Sequence, residues 1–287
     1  RVQHQGSVLA ATRTPGPHHR HHRPRPEAPL ASPAEEHPYP GTATFADPET
    51  RLSLIANSNH APSREHTYSV VSPPDLERLK GHECSAAIWS RWPIELIEDP
   101  VPHRRGTVAG LVHAPFGTVL VYAAVIPWAN DPNLDDGRPA RKWEAHLAGI
   151  ERLGAEWRCL RHRFPNVPMV VAGDLNQDRD GSGWYGTKAA REQLGVALAQ
   201  AGLTCLTEMD VVADGLLETD HLVDHICATD DLSQIGDVRC WEKIDDLGQL
   251  LSDHPTVALT LAPRSNGADA RRSSPGLLIE IPHLGGA

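Results

Sequence analysis

The sequence predicts a mixed α/β fold in which sheets are layered against helices, and three observations carry that expectation. Short apolar runs bounded by turn residues recur along the chain, as in 'RLSLIAN', 'ECSAAIWS' and 'VPMVVAGDLN', the pattern of strands. The stretch 'GTVAGLVHAPFGTVLVYAAVIPW' holds two such runs joined by 'HAPFGT'. The proline and glycine of that joint suit a hairpin between antiparallel strands, so the sheet is not purely parallel. Residues 140–163 then place Trp143, Leu147, Ile150, Leu153, Trp157 and Leu160 at steps of three or four, an apolar stripe that a helix would bury.

Taken in order, residues 1–50 combine proline, histidine and arginine with almost no apolar periodicity, so disorder is expected there. The cluster His18, His19, His21 and His22 reads as part of a solvated segment. The folded unit is expected to span 51–262. It opens on 'RLSLIAN' and continues through Ala87, Ile88 and Trp89, which precede a Ser-Arg-Trp-Pro corner. After the hairpin comes the long helix, ended by Pro165. A short apolar strand runs into Gly173 and Asp174, and 'TKAAREQLGVALAQAG' forms a second helix with Gly202 as its stop. Two further strands, 'HLVDHICAT' and 'HPTVALTL', each follow acids and a histidine. Residues 263–287 return to loop composition and are expected to be a flexible tail.

The 287 residues allow a sizeable core. No run of eighteen or more apolar residues and no export signal is visible in the sequence, so no membrane span and a cytoplasmic location are expected. The five cysteines are scattered and never spaced as C-x-x-C, which argues against a disulfide framework or a zinc knuckle. A net charge of −10 disfavours a protein that coats nucleic acid, because tight non-specific binding draws on Lys and Arg contacts to phosphate. It leaves room for an enzyme that meets a few phosphates through a cation, which inverts the charge logic of an acidic pocket.

Polar residues suited to phosphate chemistry stand at strand ends: Asp174 and Asn176, then Asp224 and His225, then Asp253 and His254. Strand ends let a rigid sheet converge side chains from distant parts of a chain. Asp174 and Asp253 offer hard oxygens for magnesium or manganese. Asp224 and His254 can form a carboxylate–imidazole dyad, the usual poised base. The Asn176 amide can donate to charge on phosphate oxygens. The alternative for Asp174 is a plain turn in which its carboxylate caps local backbone. His225 should face away from Asp224 on a strand and be structural. Asp220, His221 and Asp230 read as solvated turn residues, and Trp143 and Trp157 as core. Trp128, Trp184 and Tyr185 fall in loops, where they either stack on a ligand or anchor the rim.

The ordered motifs 'GDLNQD' (173–178), 'DHI' (224–226) and 'SDHPTV' (252–257), with 'AAIWSRWPI' (86–94), resemble the endonuclease/exonuclease/phosphatase superfamily. The resemblance implies a deoxyribonuclease I-like, four-layer sandwich of two mixed β-sheets flanked by helices. It also implies attack of water on phosphorus assisted by Mg²⁺ or Mn²⁺, in a monomer acting on a phosphoester, DNA and RNA included. By the same resemblance Asp174 would orient or deprotonate the water, Asn176 would hold the phosphate, Asp253 would position the metal, and His254, supported by Asp224, would contact the scissile phosphate. Whether Asp174 or the Asp224–His254 pair is the base stays open. The first half departs from the pattern. Asn57 stands where relatives carry a metal-binding Glu, Thr14 where they carry an Asn, and Val125 where many carry a Tyr or His. A neutral amide is a poorer magnesium ligand than a carboxylate, which keeps a phospholigand-binding member without turnover, and a small-molecule or lipid phosphatase, as alternatives.

Overall fold

The computed structural model describes residues 51–56, 66–73, 86–98, 106–244, 247–250, 252–264 and 276–281. All of them belong to the second of two units into which the chain divides, Ala43–Ala287. The expectations for residues 1–50, for Thr14 and for Asn57 lie outside the described residues. In chain order the elements are β1 (Arg51–Ala56), β2 (Tyr68–Val71), β3 (Ala86–Ser90), β4 (Ile94–Leu96), β5 (Thr107–Ala114), β6 (Gly117–Val125), α1 (Glu144–Arg163) and β7 (Met169–Asp174). There follow α2 (Lys188–Gln200), β8 (Leu203–Cys205), β9 (Asp224–Thr229), β10 (Leu232–Trp241), β11 (Thr256–Pro263) and β12 (Leu277–Ile281).

The strands make two six-stranded sheets, ordered β10-β11-β12-β1-β3-β2 and β4-β5-β6-β7-β9-β8. Each is mixed: β1 with β12 and β6 with β7 run parallel, and the other pairs run antiparallel. The predicted hairpin is the β5–β6 pair, closing at Ala114 and Gly117.

Strand periodicity sorts the core into two layers. Val121, Val170 and Ile226 pack between the sheets with Ile88, Leu259 and Ile279. Their chain neighbours Tyr122, Val171 and Cys227 emerge on the opposite face and meet Ile150, Leu153, Trp157 and Leu194 of the two helices. Successive side chains on a strand point to opposite faces, and here both faces are covered, which is why β6, β7 and β9 read as continuous apolar runs instead of alternating ones. The architecture is thus an α/β sandwich with helices packed outside the second sheet.

The expected tail from 263 is corrected in part. Leu277–Ile281 forms β12, hydrogen-bonded between β11 and β1 inside the first sheet. Composition hid it because 'LLIEI' follows a long polar stretch of sequence and is only five residues long. Trp143 is also not on the buried helix stripe: it is the left-handed N-cap of α1, at φ 70°. Trp157 is fully buried as expected. Of the described cysteines, Cys205 and Cys227 are buried and directly opposed across β8 and β9, whereas Cys159 is exposed on α1. Among the described residues, no helix is long and apolar enough to cross a membrane.

Candidate active site

Asp174 is the last residue of β7 and Asp224 the first of the antiparallel β9, so the sheet makes them direct cross-strand partners. The next pair along is closed by the Leu175 amide donating to the Val223 carbonyl at 3.0 Å. Antiparallel pairs alternate, so Asp174 and Asp224 occupy a non-hydrogen-bonded position, where facing side chains lie closest. Both carboxylates are buried, Asp224 completely. Like charges directly opposite one another destabilise a ladder, and burial raises that cost. The fold therefore concentrates negative charge at a point that a cation would stabilise.

His254, from the loop before β11, supplies one such partner: its Nδ1 lies 3.0 Å from Asp224 Oδ2. A carboxylate only accepts, so Nδ1 carries the proton and Nε2 is left as the nitrogen able to exchange one. Ligand atoms of Asp174, Asp224 and His254 all fall within 4.8 Å of one another. Two carboxylates this close suit a divalent cation with oxygen preference, which completes its shell with water.

Asp174 does two things at once. Its Oδ1 accepts from the Asn176 backbone amide at 2.8 Å, the local turn bond that the sequence left as an alternative. Yet it also lines an open cavity of about 550 Å³ shared with Asn176, Asp253 and His254. Asn176 holds φ 51°, a left-handed conformation that asparagine tolerates. Its side-chain nitrogen donates to the Ile126 carbonyl at 2.9 Å and to Asp174 Oδ2 at 2.7 Å. Gly173 makes the bend feasible: at φ 136°, an added Cβ would stand 2.1 Å from the Ala124 carbonyl oxygen.

Four of the sequence-predicted residues thus converge on the cavity, with Asp224 behind His254. Asp253 lines it from an exposed position and does not join the Asp174–Asp224–His254 cluster. His225 is structural as expected: fully inward, it contacts the Thr207 hydroxyl at 3.1 Å and the Gln177 carbonyl at 3.0 Å. Val125, the parallel-register neighbour of Asp174, puts an apolar side chain on the cavity wall.

Several lining residues carried no sequence signal. Arg152 looks like any cation on the polar face of α1, but it reaches the cavity and is held by Asp135 at 2.7 Å and Glu156 at 3.0 Å. Burial alone would lower its pKa; those two carboxylates outweigh it and hold the guanidinium above its ordinary range. Lys243 follows β10, a strand the sequence did not reveal, and bonds Asp220 at 2.9 Å. Asp220 and His221 were expected to be solvated turn residues and instead line the cavity. His221 bonds Asp180 at 2.8 Å. Burial pushes the Asp180 carboxyl up, but hydrogen bonds from Ser182 and His221 prevail and hold it below its usual value.

No protein-family model matches the sequence, and no curated protein matches it either. Solved structures similar to this chain include the endonuclease domain of TRAS1, a telomere-specific non-LTR retrotransposon, at 21% identity and TM-score 0.44, covering 71% of this chain and 82% of that one. The 3'-5' exonuclease NExo from Neisseria meningitidis is similar at 17% identity and TM-score 0.49, covering 75% and 89% respectively. An endonuclease/exonuclease/phosphatase family protein from Leptotrichia buccalis is similar at 15% identity and TM-score 0.42, covering 69% and 71%.

Proposed function

We propose that the chain is a divalent-metal-dependent phosphoester hydrolase of the phosphodiesterase type, in which water attacks phosphorus. One observation carries the reading: two buried carboxylates, Asp174 and Asp224, are held face to face beside His254 at the wall of an open cavity. Asp174 and Asp253 would hold Mg²⁺ or Mn²⁺, with Asp224 contributing its charge from behind. When bound, the ion polarises a phosphoryl oxygen and lowers the pKa of attacking water.

The chain's own groups account for the rest. Asp174 orients the water. Asp224 fixes the His254 tautomer, leaving Nε2 to exchange a proton with the water or the leaving oxygen. Asn176 gives up its bond to Asp174 Oδ2 to donate to a phosphate oxygen, a switch that costs little because one amide hydrogen stays on the Ile126 carbonyl. The test is hydrolysis of bis(4-nitrophenyl) phosphate and of plasmid DNA with Mg²⁺ or Mn²⁺, comparing the parent chain with Asp174→Ala and His254→Ala. Loss of rate in both variants is expected, and equal rates in all three would refute the reading.

A second reading, binding of a phosphorylated ligand without turnover, is favoured by Asn57 at the place where the superfamily pattern has a Glu. Asn57→Glu separates the two. Activity gained only in that variant selects the second reading, and full activity with Asn57 in place removes it.

A further inference from the structure

Phosphoester hydrolysis needs no exposed tryptophan, yet two stand on the cavity wall. Trp128 and Trp184 are 50% and 56% exposed. Leaving indole in water forgoes the burial that makes tryptophan favourable in a fold. Packing covers about half of each, and the other half faces the solvent of the cavity.

Trp184 is held in place by its loop. Buried Asp178 accepts from the Gly183 amide at 3.1 Å, the Tyr185 amide at 2.9 Å and Arg191 Nη1 at 3.1 Å. The Asp178 amide donates back to the Tyr185 carbonyl at 2.9 Å, which closes the loop on itself. The Tyr185 hydroxyl accepts from the Ala129 amide at 3.3 Å and so ties this loop to the one carrying Trp128. Four of the rings, those of Trp184, His221, Tyr185 and Trp143, form a continuous array, and Trp128 joins the cavity wall from the neighbouring loop. Trp184 stacks on His221 at 5.6 Å and 29° and tilts against Tyr185 at 5.8 Å, and Tyr185 tilts against Trp143 at 5.4 Å. Such a pinned aromatic surface loses little entropy when a flat ligand lands on it.

The chemistry of the wall selects the ligand. Asp131, Asp135 and Asp220 line the same cavity. An acyl chain would strip water from these carboxylates and return no hydrogen bond. A nucleobase offers a π face to the indoles and N–H donors at its edge to the lone pairs that Asp135 and Asp220 keep beyond their bonds to Arg152 and Lys243. A duplex is disfavoured: the cavity cations Arg152 and Lys243 are already paired with carboxylates, and the chain's net charge is −10.

Resting on the hydrolase reading, we infer that Trp128 and Trp184 form a stacking platform for the base of a nucleotide whose phosphate lies at Asp174 and His254. The substrate class is then a small nucleotide or a single-stranded end.

The test measures binding by calorimetry with Mn²⁺ present, with AMP and ribose 5-phosphate as probes, both monoesters and so not substrates of a phosphodiesterase. The phosphate is common to both, so the ratio of affinities isolates the base. AMP is expected to bind about 10-fold tighter or more. Trp184→Ala and Trp128→Ala should bring the ratio toward one, and Trp184→Phe should keep most of it. Equal affinities in the parent chain, or a ratio unmoved by both alanine variants, would overturn the platform. Asp174-dependent cleavage of bis(4-nitrophenyl) phosphate alongside equal affinities would sink the platform alone and leave the hydrolase reading in place. A Trp184-dependent AMP preference with no phosphoester cleaved would support the platform and refute the hydrolase.

Discussion

Asp174 and Asp224 are paired across β7 and β9 as two buried carboxylates in a non-hydrogen-bonded register. Such a pair carries a standing electrostatic cost that a divalent ion offsets. Mn²⁺ is therefore expected to raise the thermal unfolding midpoint of the parent chain. At a concentration about 100 times its dissociation constant the gain is roughly 2.7 kcal/mol. Asp174→Asn should abolish the shift, as read by calorimetry with and without EDTA. An equal Mn²⁺ shift in that variant would show that the ion binds elsewhere.

The contact between His254 Nδ1 and Asp224 Oδ2, at 3.0 Å, sets which imidazole nitrogen holds the proton. Asp224→Asn preserves shape but lets the amide donate to Nδ1, which reverses the tautomer. Turnover should fall on the order of 10² to 10⁴-fold, with the unfolding midpoint little changed and the tautomer visible in imidazole nitrogen NMR shifts. An unaltered rate would remove the dyad from the mechanism and leave Asp174 as the base.

At Gly173, φ is 136° and a Cβ would lie 2.1 Å from the Ala124 carbonyl oxygen. Gly173→Ala is strained in its backbone and clashes with the parallel neighbour strand, which cannot retreat from a buried sheet. A loss of roughly 4 kcal/mol, or failure to fold, is expected. Denaturant unfolding measures it, and a loss under 1 kcal/mol would mean that the strand end relaxes freely.

How much of this was legible in the sequence depended on locality. Asp174, Asp224 and His254 could be found because each sits beside a short apolar run, and strand ends are readable one at a time. The Asp224–His254 dyad was legible as well, but the pairing of Asp174 with Asp224 was not, because register between β7 and β9 is a property of the sheet and not of either segment. Arg152 escaped for a different reason: seen from its own helix it is one polar-face cation among several, and only the packing of α1 on the second sheet turns it toward the cavity. β12 escaped because 'LLIEI' is short and isolated, and it becomes a strand by completing the gap between β11 and β1. The turn alternative for Asp174 and its place in the cavity proved compatible, since one carboxylate has lone pairs enough for both.

His146 offers a pH readout separate from the cavity chemistry. It is buried on α1, its Nδ1 donates to the Pro127 carbonyl at 2.7 Å, and its Nε2 is buried without a hydrogen-bond partner among the described residues. Burial pushes its pKa below the ordinary 6.5, with the Pro127 bond opposing in part. The neutral form is thus the folded form. Between the lowered folded pKa and 6.5 the unfolded chain binds more protons, so stability is full above about 6.5 and is lost as pH falls through that window. His225 shifts the other way: burial lowers it, but its contact with Cys205, its bond to the Gln177 carbonyl and the nearby Asp224 carboxylate together outweigh that and raise it. The comparison must therefore be a difference between two chains. His146→Asn keeps a donor near the Pro127 carbonyl and has no titration. Its stability-against-pH curve should be flatter on the acid side than the parent's, whatever its absolute level. Parallel curves below pH 6.5 would show that His146 titrates alike in both states.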